Sequence, residues 1–118
     1  MVVDDTDHVR RMLRSMLELD GFDVVAEAAS GVEAVAAADD ADPAVVVMDY
    51  RMPGMDGIDA ARALRERRPD QVVILYTAFL DNELVRRAED AGIAACLGKT
   101  EGLEVLEREI RGVCGSLF

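Results

Sequence analysis

Three carboxylates stand where apolar runs end: Asp4 and Asp5 after Met1-Val2-Val3, and Asp49 after Ala44-Val45-Val46-Val47-Met48. Acids placed directly after buried strands stabilise little and ligate well. If the two strands lie side by side, the three acids share one pocket, and like charges that close repel unless a cation joins them. Magnesium suits such a pocket, because it takes hard oxygen ligands, one or two carboxylates and a phosphate among them. Two more groups follow apolar runs of the same kind. Thr77 ends Val72–Tyr76 and offers a hydroxyl, and Lys99 follows Ala94–Gly98 and offers a positive point charge. A carboxylate nucleophile can accept a phosphoryl group as an acyl phosphate, with a metal and a lysine neutralising the transferring oxygens.

Periodicity marks the helices and strands that carry these groups. Val9, Met12, Leu13, Met16 and Leu17 recur at three- and four-residue spacing, which predicts an amphipathic helix with Asp5 or Thr6 as cap and Gly21 at its end. Phe22–Ala28 reads as a second strand, less apolar than the rest and so near an edge. A second helix begins at Ser30 or Gly31, and a third runs through Ile58, Ala61 and Leu64, capped by Asp56 and closed before Pro69. Leu84, Val85, Ala88 and Ala91 give a fourth, stopped by Gly92, and Leu103, Leu106, Ile110, Val113 and Leu117 a fifth. Five strands alternating with five helices call for a parallel α/β sheet covered on both faces. Right-handed crossovers then bring every strand's carboxyl end to one edge, where open α/β folds bind ligands. Asp5, Asp49, Thr77 and Lys99 all face that edge. Singly, each has an ordinary explanation as a cap or a surface charge. Four strand ends suited to the same chemistry do not.

Composition narrows the alternatives. A chain of 118 residues is expected to be one domain (1–118) with a core of Val, Leu, Ala, Ile and Met, since Trp is absent. A net charge of −11 argues against direct contact with nucleic acid or an anionic membrane. Cys96 and Cys114 lack metal-ligand spacing, and no apolar run spans a bilayer, so a reducing, cytoplasmic setting is expected. His8, in the first turn of the first helix, is expected to be solvated rather than to carry phosphate.

At this level of detail the chain resembles the receiver domains of bacterial two-component response regulators, the CheY-like family, and those of LuxR/NarL type in particular. The landmarks are Asp4-Asp5, the segment Met48-Asp49-Tyr50-Arg51-Met52-Pro53-Gly54-Met55-Asp56-Gly57, the pair Thr77-Ala78, and Lys99. The resemblance implies a flavodoxin-like (βα)5 three-layer sandwich with strand order 2-1-3-4-5. It implies Asp49 as phosphoacceptor, taking its phosphoryl group from a sensor histidine kinase or a small phosphodonor, with no turnover beyond self-phosphorylation and autodephosphorylation. Mg2+ would be held by Asp5, Asp49 and the backbone carbonyl of Arg51, with Asp4 acting mainly through bound water. Lys99 would pair with the phosphoryl oxygens, Thr77 would move toward them, and Ala78 would leave room. Arg51 and Phe79 occupy positions that tune acyl phosphate lifetime, and Arg51 is expected to hinder or order the attacking water. The readout would be a homodimer through helix 4, strand 5 and helix 5, or through helix 5, or a DNA-binding output domain C-terminal to this segment.

Three departures from the family are present. Only Met1-Val2-Val3 precede the acidic pair, so the natural chain is expected to begin earlier; Thr100 follows the lysine where proline is common; and Cys96 replaces the usual Tyr or Phe of the fifth strand. A thiol cannot make the steric exchange of a ring, so coupling to the helix 4–strand 5–helix 5 surface is expected to be weakened or rerouted. The alternative reading is a phosphorylation-independent interaction module on the same fold. A phosphatase of the haloacid dehalogenase type would need a second acid at Arg51, and a nucleotide site would want glycines where Asp4-Asp5-Thr6-Asp7 stand.

Overall fold

In a computed structural model, the structure describes the backbone of residues 1–116 and the side chains of residues 1–113; Leu117 and the Cys114 side chain lie outside the described residues. The strands are β1 (Val2–Val3), β2 (Glu27–Ala28), β3 (Val45–Met48), β4 (Val72–Thr77) and β5 (Ala95–Gly98). They form one parallel sheet in the order β2-β1-β3-β4-β5. Between them run α1 (Asp7–Leu19), α2 (Gly31–Ala41), α3 (Gly57–Arg67) and α4 (Asn82–Asp90), and α5 (Leu103–Ser116) follows β5 after a 3-10 turn at Lys99–Glu101.

The continuous apolar runs are doubly buried strands whose alternate side chains feed two cores. Val3, Val46, Met48, Val73 and Leu75 face Ala34, Ile58, Ala61, Leu64 and Leu84 of α2, α3 and α4. Val2, Val45, Val47, Ile74 and Tyr76 face Leu13 and Leu17 of α1 and Leu106 and Ile110 of α5. The two layers of helices on a central sheet are the three-layer sandwich expected from the alternation.

Local differences have simple causes. Only Glu27 and Ala28 of the expected strand Phe22–Ala28 join the sheet. Val24 and Phe22 instead pack beneath α1 as an irregular approach to the edge. Thr6 precedes α1, but neither it nor Asp5 caps the helix with its side chain. Asp4 instead braces the turn just before the helix, its Oδ1 accepting the Thr6 N–H at 2.9 Å. The other caps are those expected: Ser30 accepts from the Glu33 N–H at 3.1 Å and Asp56 from the Asp59 N–H at 2.9 Å.

Candidate functional site

Strand register assembles the site. Val3 pairs with Met48 between β1 and β3, so the next residues, Asp4 and Asp49, leave the sheet side by side. The Asp49 N–H still donates to the Val3 carbonyl at 3.0 Å. Thr77 pairs with Gly98 at the far ends of β4 and β5, which brings Lys99 to the same edge. One oxygen from each of Asp4, Asp5 and Asp49 lies within 4.8 Å of the others. Asp4 is buried, Asp49 half-buried and Asp5 exposed. Three hard carboxylate oxygens at that spacing, graded from core to solvent, fit a divalent cation that keeps part of its water.

Lys99 extends between two of these acids: its Nζ donates to Asp4 Oδ2 at 2.9 Å and lies 3.8 Å from Asp49 Oδ2. The 3-10 turn holds the lysine's backbone, with Glu101 Oε2 accepting the Gly98 N–H at 2.9 Å. Burial pushes the Asp49 carboxyl above its ordinary range, Lys99 opposes that, and Asp4 and Asp5 add to it. A carboxylate with raised proton affinity is also a better donor to a cation or an electrophilic phosphorus. Asp49 Oδ1 accepts the Tyr50 N–H at 2.9 Å, while Oδ2 faces Lys99.

Thr77 is fully buried, and its hydroxyl accepts the Phe79 N–H at 3.2 Å. Arg51 lies in the loop after β3, and its guanidinium stacks on the Phe79 ring, 4.2 Å from the centroid. That contact joins the loops after β3 and β4. Cys96 is half-buried against the α2–α3–α4 core, and burial pushes its thiol pKa up. His8 is exposed, as a solvated residue of the first helical turn should be.

Two arginines carry more of this site than their sequence context discloses. Arg10 falls on the polar side of the α1 pattern, yet it is 8% exposed. Its Nη1 donates to the Asp4 carbonyl at 2.8 Å, its Nε to Glu27 at 3.1 Å and its Nη2 to Asp7 at 2.8 Å. It thereby ties the acidic turn to β2 and α1. Arg87 of α4 donates to the Tyr50 hydroxyl at 2.9 Å. Neither belongs to a motif. Only the three-residue spacing of Asp7 and Arg10 gave a signal, and it reads as an ordinary surface pair.

A parallel α/β sheet with carboxylates, a buried hydroxyl and a lysine converging at the carboxyl ends of β1, β3, β4 and β5 places the protein in the doubly wound class that binds at this edge. The model of the response regulator receiver domain matches residues 1–111, and the chain belongs to that family. It is 42% identical over 99 residues to the transcriptional regulatory protein PdtaR of Mycobacterium tuberculosis, covering 84% of this chain and 48% of the relative. A LuxR-family two-component response regulator from Aurantimonas superposes with a TM-score of 0.90 at 31% identity, over 98% of this chain and 84% of that one. A chain of the CheX–CheY–BeF3–Mg2+ complex from Borrelia burgdorferi gives a TM-score of 0.87 at 26% identity, over 95% of this chain and 85% of that one. The chain spans about half the length of the curated relatives it matches. No helix among the described residues is long and apolar enough to cross a membrane.

Proposed function

We propose that this receiver domain takes a phosphoryl group on Asp49, in a magnesium-dependent transfer from a phosphohistidine of a sensor kinase. The observation that carries the proposal is the carboxylate triad Asp4, Asp5 and Asp49 with Lys99 Nζ placed between two of its members. An Asp49 carboxylate oxygen forms the new bond to phosphorus as the bond from phosphorus to the histidine nitrogen breaks, and the freed imidazole keeps that electron pair. Magnesium, when bound, supplies charge neutralisation across the phosphoryl oxygens. Asp5, Asp49 and the Arg51 carbonyl would hold it, with Asp4 acting mainly through water.

The chain's own residues do the rest. Lys99 pairs with a phosphoryl oxygen, a short move from its position 3.8 Å from Asp49. Thr77 exchanges its bond from the Phe79 N–H for one to the phosphoryl group, shifting the loop before α4. Ala78, with a single methyl, leaves the entry open. The phosphorylated state is then read in the cytoplasm as dimerisation or by a C-terminal DNA-binding output domain, in line with the transcriptional role in PdtaR's name.

The test is incubation with magnesium and acetyl phosphate or beryllofluoride, followed by mass and by amide spectra, for wild type and Asp49→Ala. An Asp49-dependent mass gain from acetyl phosphate and spectral change with beryllofluoride are expected. No response in the wild type would move the assignment to a phosphorylation-independent interaction module. Sustained phosphate release from unrelated phosphoesters would indicate a phosphatase.

A further inference from the structure

We propose that Arg87 is a positioning residue for Asp49, acting through the side chain of Tyr50, and that this contact carries the state of Asp49 to α4. The inference rests on Asp49 being the phosphoacceptor.

Tyr50 is attached to the site at one end and to α4 at the other. Its backbone N–H donates to Asp49 Oδ1 at 2.9 Å, a bond between adjacent residues that sets the orientation of the carboxylate. Its carbonyl accepts the Gly57 N–H at 2.8 Å, which fixes the same peptide segment to the start of α3. Its ring is half-buried, and its hydroxyl accepts from Arg87 Nη1 at 2.9 Å. The Arg87 guanidinium lies 5.8 Å from the ring centroid, and its Nη2 is 3.9 Å from Asp56, the cap of α3. One half-exposed arginine therefore gathers α4, the loop after β3 and the start of α3.

Phosphorylation acts on the first link of this chain. Converting the carboxylate to an acyl phosphate leaves its remaining carbonyl oxygen neutral and moves the negative charge out to the phosphoryl oxygens. That weakens what the Tyr50 N–H is bonded to, because a bond to an ionised acceptor is about twice as strong as a neutral one. The Tyr50 peptide then turns toward the new phosphoryl oxygens or relaxes. A tyrosine ring is rigid, so motion at its backbone is delivered to its hydroxyl and hence to Arg87. Linkage works in both directions: whatever holds Tyr50 in its resting pose opposes the phosphorylated one.

The test is a titration of the full chain with beryllofluoride and magnesium, followed by amide spectra, for wild type, Tyr50→Phe, Arg87→Met, Arg87→Lys and the double variant Tyr50→Phe/Arg87→Met. Tyr50→Phe and Arg87→Met should each raise beryllofluoride affinity about three- to tenfold, the worth of one charge-assisted hydrogen bond at a half-exposed position. Each should also shrink the shifts of the α4 amides, Asn82–Asp90. The double variant should do no more than either single one, and Arg87→Lys should restore part of the response. Additive effects, unchanged affinity, or undiminished α4 shifts would overturn the proposal while leaving Asp49 as phosphoacceptor. A wild type that does not respond at all would overturn both.

Discussion

Replacing Arg10 by methionine tests whether the acidic turn is held by one buried guanidinium. Methionine keeps an aliphatic stem of similar length, and three hydrogen bonds are removed. They are not equal. Asp7 is largely exposed, so its pair is screened by solvent and contributes little. Glu27 keeps a second partner, Arg14 Nη1 at 2.8 Å, so its loss is partial. The bond to the Asp4 carbonyl at 2.8 Å is buried and charge-assisted, a type worth about 1.5–3 kcal/mol. A destabilisation of about 2.5 kcal/mol follows, which for a chain of this size lowers the Tm by about 10 °C. Urea unfolding at pH 7 measures it, run at about 0.15 M and 1 M NaCl to use the difference in screening. The buried bond predicts a loss that survives high salt, and Arg10→Lys should recover only part of it, since one ammonium cannot span three acceptors in this geometry. A loss under about 0.5 kcal/mol at both salts would refute the reasoning, and one that disappears at 1 M salt would assign it to the exposed Asp7 pair.

Gly57→Ala should cost about 3 kcal/mol by urea midpoint, because its Cβ would clash with the Asp49 carbonyl and lie 2.8 Å from Leu75 Cδ1 and 2.9 Å from Tyr50 Cα. Arg51→Ala should speed loss of phosphate from Asp49 about three- to tenfold in a direct dephosphorylation assay, since it removes the Arg51–Phe79 stack joining the loops beside the acid; an unchanged rate would end that explanation. Glu107 of α5 is 6% exposed, and its Oε2 has no hydrogen-bond partner among the described residues. Contact with Asp20, then burial, raises its pKa, with Glu104 adding and Arg111 opposing. The folded state thus holds this proton more tightly than the unfolded one, so the group's stabilisation is complete below the usual glutamate range and is lost as pH rises through the raised value. Glu107→Gln should therefore match wild type near pH 4 and exceed it by about 1 kcal/mol at pH 7, read as Tm against pH.

Much of this protein was legible in its sequence because parallel sheets write themselves plainly. Strands buried on both faces must be apolar throughout, as at Val45–Met48 and Val72–Thr77, and the crossover rule sends their carboxyl ends to one edge without further information. Asp5, Asp49, Thr77 and Lys99 group at that edge for this reason, and the register of β1 on β3 and β4 on β5 agrees with the grouping. The second strand is shorter than its apolar stretch, Phe22–Ala28, because an edge segment need not pair along its whole length. Phe22 and Val24 serve the core while only Glu27 and Ala28 bond to β1.

Local pattern and chain topology suffice for the alternation, the binding edge and the side chains that stand at it. Which long side chains reach the surroundings of the three carboxylates depends on how the elements pack. An arginine can place its charge several ångströms from its backbone, so Arg10 and Arg87 look like solvated helix residues until the neighbouring elements supply an Asp4 carbonyl and a Tyr50 hydroxyl within hydrogen-bond range.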